Sequence, residues 1–190
     1  MKEALKIYNY TLLYLIIFLI LGCSNHNERA DNLEQVRICL ESKEITSKLF
    51  NKRNNPLSDI LAESKIDKYG IDKSRFVTID SLTADLSIKI SHYRQLIQSK
   101  SENINDIDFY KATDKYLNTI LDLESSISPF LQTIKDSIKG NEEDLSVEVK
   151  EKALKINSAT KEWEYAESSF LEKYGIAQGT IDSIMDKIRK

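Results

Sequence analysis

The stretch LSVEVKEKALKINSATKEWEYAESSFLEKY, residues 145–174, decides the fold. Leu145, Val149, Ala153, Ile156, Ala159, Trp163, Ala166, Phe170 and Tyr174 recur at steps of three or four. That repeat places them on one face of an α-helix, with polar residues between them. A helix with one apolar face has to lay that face on a neighbour. Just upstream, Asn141–Asp144 (NEED) sets carboxylates in the first turn, where the helix dipole favours negative charge. Tyr174-Gly175-Ile176 closes the segment, because glycine takes the left-handed conformation and the isoleucine can fold back on the last turn. A helix over 142–174 is expected.

The same periodicity recurs outward from there. Phe76, Ile79, Leu82, Leu86, Ile90, Tyr93 and Ile97 predict a helix over 73–100, with a short strand at Phe76–Ile79 as the alternative. Tyr110, Leu117, Leu121 and Ile127 predict a helix over 107–139. Pro129 either kinks or breaks it, since proline lacks the backbone donor and clashes with the preceding turn. Phe130, Leu131, Ile134 and Ile138 continue its apolar face. Earlier in the chain, Leu33, Val36 and Leu40, flanked by Ile38, Ile45 and Leu49, predict a helix over 32–50. Asn51–Asn55 (NKRNN) reads as a loop, and Pro56 then suits the first position of a helix over 56–69 carrying Leu57, Ile60, Leu61 and Ile66. A tail helix over 180–189 holds Ile181, Ile184, Met185 and Ile188. Gly70, Gly140, Gly175, Gly179 and Pro56 all fall at expected helix ends. Pattern and punctuation therefore agree on an all-α chain, an antiparallel bundle of four to six helices forming one domain over 32–190.

The N-terminus has a different character. Lys2 and Lys6 precede an apolar run, Thr11–Leu21, which ends in Gly22, Cys23 and Ser24. A positive head, an apolar run of roughly 7–15 residues and a small residue form a signal-peptide pattern. The run falls short of the ~20 apolar residues that span a bilayer unless Ile7–Tyr10 are recruited past Asn9, which leaves an uncleaved anchor helix as the alternative. Ile20-Leu21-Gly22-Cys23 resembles the lipobox of bacterial lipoproteins, with Leu21 bulkier than that family usually places there. The resemblance implies a signal peptide over 1–22, cleavage between Gly22 and Cys23, and acylation of Cys23. Residues 23–31 would be a lipidated cysteine and flexible tether. Two or more acyl chains hold a protein stably at a membrane. Ser24 is not the acidic residue that retains enterobacterial lipoproteins at the inner membrane, which implies outer-membrane placement, on the surface or the periplasmic face.

Removing residues 1–22 leaves 168 residues, enough for a sizeable core, and moves the formal charge from −3 to −4. That sign argues against nucleic acid as a partner. Cys39 becomes the one remaining thiol, so it is either buried or available for an intermolecular disulfide.

No constellation of reactive groups emerges. His26 falls in the tether and His92 stands alone on its helix, without the Glu-x-x-His pairs of a metal-binding bundle. The carboxylates Asp106/Asp108, Glu142–Asp144 and Glu162/Glu164/Glu167 fit helix starts and solvent faces, and Lys65, Lys68, Lys73 and Arg75 are interrupted by Asp67 and Asp72. No catalytic residue, cofactor or metal is expected. Trp163 belongs to the core stripe, but an exposed ring would make it an interface anchor. The Ile/Lys/Asn-rich helices look like those of small helical surface lipoproteins of spirochaetes, a resemblance that implies an adhesin or host-protein binder. The expected function is a membrane-anchored module that binds a protein partner. The alternatives are a periplasmic accessory, chaperone or immunity-type lipoprotein, and an apolar-ligand carrier with a cavity between its helices.

Overall fold

The computed structural model describes residues 2–64, 74–102, 106–135 and 142–190, with side chains described for 29–60, 74–102, 106–135 and 147–190. The described residues form five helices and no strand: α1 (Lys2–Ser64), α2 (Ser74–Ser101), α3 (Asp108–Lys135), α4 (Glu142–Lys173) and α5 (Gln178–Ile188). The chain divides into two compact units, Met1–Val36 and Arg37–Lys190. The second unit is the all-α bundle that the periodicities predict. The strand alternative at Phe76–Ile79 is excluded, because both residues lie in α2 with their side chains buried.

Helix direction follows from the side-chain pairs. Along α3 and α4, Thr113 meets Trp163, Lys115 meets Glu162, Asp122 meets Lys152 and Ser126 meets Glu148. Numbers rise on one helix as they fall on the other, so the two are antiparallel. Ser47 meets Tyr116 and Arg53 meets Glu124, so α1 runs parallel to α3. With short connections between successive helices, this is an up-down-up-down bundle.

The first correction concerns α1. The sequence predicts separate helices over 32–50 and 56–69 with a loop at Asn51–Asn55, whereas α1 passes through that segment and through Pro56 to Ser64. The inward positions explain why. Cys39, Ser42, Thr46, Arg53, Leu57 and Ile60 are all buried and keep a helical step. Three of the six are polar, so the stripe fades in the sequence without stopping in the fold. Ser42 donates to Cys39 O at 2.9 Å and Thr46 to Ser42 O at 2.5 Å, which satisfies both hydroxyls inside the helix.

Residues 23–31 are also helical backbone. No glycine or proline occurs between Ser24 and Asn55 to stop helix propagation. The side chains of residues 2–28 lie outside the described residues, as do the expected stops at Gly70 and Gly140.

At Pro129 the helix holds. Of the kink and the break, the break does not occur, for α3 continues to Lys135. Leu123, Ile127, Leu131 and Ile134 bracket the proline and are all buried. They share one cluster with Leu57, Ile60, Phe76 and Ile79, and Phe50, Phe130, Val149 and Ile156 pack at its edge. A proline inside a helix costs roughly 3 kcal/mol. Burying an aliphatic side chain is worth about 1.5–3 kcal/mol, so this packing outweighs the loss.

The second correction concerns α4. Ala153 is exposed, and the inward slot belongs to Lys152, whose ammonium reaches Asp122 at 3.1 Å and Glu148 at 3.0 Å. A lysine can hold such a slot because its stem is apolar and its charge stays with carboxylates.

At the opposite end of α4, the Tyr-Gly-Ile stop forms as expected. Gly175 has φ +60°, Ile176 N–H donates to Leu171 O at 2.9 Å, and Gly175 N–H donates to Glu172 O at 3.2 Å. These are the two hydrogen bonds of a Schellman motif. α5 starts at Gln178, two residues before the predicted 180, on an Ala177 cap whose carbonyl accepts from Thr180 N–H at 2.9 Å. Arg189, just past its end, reaches Glu44 on α1 at 3.1 Å.

Candidate functional site

Trp163 is 2% exposed. Its ring centroid lies 5.3 Å from that of Phe109; Phe109 and Phe170 are 5.5 Å apart, and Phe170 and Tyr174 are 4.6 Å apart. Its indole N–H donates to Thr113 Oγ1 at 3.0 Å, and Thr113 donates onward to Phe109 O at 2.8 Å. The Lys43 ammonium sits 3.7 Å above the ring. The condition for an interface anchor, an exposed ring, is not met, and Trp163 is a core residue with its polar atom satisfied.

Cys39 is buried and free. Burial pushes its thiol well above the usual range, against a lowering hydrogen bond with Thr113, so it is not available for an intermolecular disulfide. His92 is exposed and stands edge-on to Tyr93 at 5.4 Å. Asp106 accepts from Lys173 at 2.6 Å and Tyr174 at 3.1 Å, tying the start of α3 to the end of α4. Burial alone would raise its pKa, but these bonds and the Asp108 N–H hold it below the ordinary carboxylate value. Glu162 pairs with Lys115, and Glu164 lies 3.6 Å from Lys43. Glu167 is raised by burial, eased by Lys43 and reinforced by Glu164. The side chains of Glu142–Asp144, like Lys65, Lys68 and Lys73, lie outside the described residues, and so do those of Gly22 and Cys23. Among the described residues no group of carboxylates, His or Cys is placed to hold a metal ion. Among the residues with described side chains no helix is long and apolar enough to cross a membrane; Thr11–Leu21 falls outside that set.

The surface that gathers polar chemistry is one the sequence reading passed over. A groove of about 770 Å³ lies between the end of α2 and the start of α3, lined by Arg94, Gln98, Lys111, Asp114, Lys115 and Asn118 among others. A second hollow of about 510 Å³ lies between α3 and α4, lined by Lys111, Ala112, Lys115, Lys161, Glu162 and Tyr165. The two share Lys111 and Lys115, so they form one continuous surface across three helices. Its lining brings together four cations and two carboxylates on a chain whose formal charge is −3.

Local geometry shapes each group. Asp114 accepts from Arg94 Nε at 2.7 Å and from Nη2 at 3.3 Å, a two-point contact that also holds the guanidinium charged. This engages Nε and Nη2 and not Nη1, and the side chain is 36% exposed. Lys111 and Lys115 stand one turn apart on α3. Lys111 is held only loosely, 3.7 Å from an Asp108 that is itself 86% exposed, and such pairs contribute little. Lys161 makes no ion pair among the described residues. Tyr165 is 77% exposed, the most exposed large hydrophobic of the described residues.

One sequence signal pointed here. Tyr165 lies two positions from Trp163, roughly opposite on the helix, so burying one ring commits the other to solvent. Arg94 and Lys111, 17 positions apart, meet only because the α2–α3 turn brings them together. No protein-family model matches the chain, and no curated protein or solved structure matches it either.

Proposed function

We propose that this chain is a bacterial lipoprotein, anchored outside the cytoplasm by acyl groups on Cys23. In this reading its helical domain binds a protein partner and catalyses nothing. The anchoring half rests on the Thr11–Leu21 run and the lipobox-like Ile20-Leu21-Gly22-Cys23. The binding half rests on one observation, the exposed Tyr165 set among Lys111, Lys115 and Lys161 in a concave surface. Tyrosine offers a large rigid contact at low entropic cost, and residues of its type dominate interface energetics.

Cys23→Ala tests the anchor. It should abolish fatty-acid labelling in cells and release the domain from the membrane fraction; persistent labelling of the variant sinks the lipoprotein reading. Outer-surface placement predicts that protease added to intact cells removes the domain. Its survival there, with digestion once the outer membrane is opened, supports a periplasmic accessory role instead.

A further inference from the structure

The geometry points to an acidic polypeptide segment as the occupant of the surface formed by α2, α3 and α4, held by Arg94, Lys111, Lys115 and Lys161 and packed on Tyr165. This deepens the binding-module reading and rests on it. The lining has a charge excess of two positive groups, opposite in sign to the chain as a whole. A local field of that sign selects anionic partners and speeds their encounter. Arg94 supplies geometry as well as charge. Asp114 fixes its guanidinium through Nε and Nη2, so the Nη1 donors that Asp114 does not use can take a carboxylate without the side chain first losing freedom. Gln98 and Asn118 supply amides of the kind that pair with a peptide backbone. Tyr165 adds an apolar platform beside the cations, which suits a segment of mixed acidic and apolar residues better than a bare mineral anion.

The test uses the full chain in detergent micelles and a fluorescein-labelled peptide of six glutamates interrupted by one phenylalanine, read by anisotropy. Binding should weaken steadily as salt is raised, and the glutamine analogue of the peptide should not bind. Arg94→Gln should weaken binding roughly tenfold or more, because a charge-assisted two-point contact is lost. Arg94→Lys should recover only part of it. Tyr165→Ala should weaken the phenylalanine-bearing peptide more than an all-glutamate one. Lys89→Gln, an exposed α2 lysine outside the lining, is the control and should change nothing. Equal weakening by Lys89→Gln, indifference to Arg94→Gln, or competition by inorganic phosphate as strong as by unlabelled peptide would overturn the assignment.

A photo-crosslinking residue in cells separates this from the broader reading. Adducts at position 165 and not at the exposed Val77 position support the surface. Adducts at position 77 alone overturn the surface and leave the binding module standing. Adducts at neither overturn both.

Discussion

Arg53 and Glu124 allow the sharpest test of how the bundle is held. Arg53 has no exposed side-chain surface and Glu124 only 5%, and the two are paired across α1 and α3. Burial pushes the guanidinium down to about 10, so it still carries its charge at neutral pH. Arg53 Nε and Nη1 and Glu124 Oε2 have no hydrogen-bond partner among the described residues. The pair is therefore fully desolvated but only partly satisfied. Removing one member strands a buried charge, at a cost of about 3–5 kcal/mol. Arg53→Met and Glu124→Leu should each lose that much. At roughly 2–4 °C per kcal/mol for a chain of this size, Tm should fall by roughly 6–20 °C. The double variant removes both charges and every orphaned atom together. It should return to within ~1 kcal/mol of the parent or exceed it, since apolar replacement of a buried pair is often neutral or stabilising. Urea titration followed by fluorescence of the single, buried Trp163 measures all four proteins. Two results would refute the reasoning: a single variant within ~1 kcal/mol of the parent, or a double variant whose loss is the sum of the two singles.

Three further outcomes are expected. Thr113→Val leaves the Trp163 N–H buried without an acceptor and should cost about 1–3 kcal/mol, whereas Thr113→Ser keeps the hydroxyl and should cost clearly less; equal losses by denaturation would contradict this. Gly175→Ala meets no neighbour but forces alanine to φ +60°, so a loss of about 1–2 kcal/mol should appear. Gly179→Ala, in α5 and equally unobstructed, should be neutral or stabilising by at most ~1 kcal/mol, and the same titration compares the two. Asp106 has a folded pKa below its ordinary 3.8. Its contribution is thus fully present above that value and lost as pH falls through the depressed one. Asp106→Asn should lower stability by roughly 1 kcal/mol at pH 7 and by progressively less as the pH falls below 3.8; an effect that grows as the pH falls would be the wrong sign of linkage.

How much was legible follows from what each residue type announces. The stripes of α2 and of the C-terminal half of α4 were legible because their inward positions are nearly all apolar. Continuity through residues 51–55 was not, because Ser42, Thr46 and Arg53 hold inward positions that a hydrophobic pattern scores as solvent. Lys152 hid the true face of α4 in the same way, and its neighbour Ala153 took its place in the reading. Ser42 and Thr46 are tolerable inside because carbonyls one turn back receive their hydroxyls, and the two charged residues because something distant in the chain receives them: Glu124 for Arg53, Asp122 for Lys152. The interaction surface was illegible for a related reason, since Arg94, Lys111 and Lys161 are ordinary surface charges until the turns set them side by side.

The sequence by itself determined the all-helical class, four of the five helices to within a few residues, and the Tyr-Gly-Ile stop at Gly175. Those depend on local steps and on the backbone freedom of one residue, which neighbours in the chain encode. Only the tertiary structure decided that α1 is one helix beyond Asn51, that Trp163 is core while Tyr165 faces water, and that the cations of three helices share one surface. Those depend on pairings between residues distant in the chain, such as Arg53 with Glu124 71 positions on, which no local pattern carries.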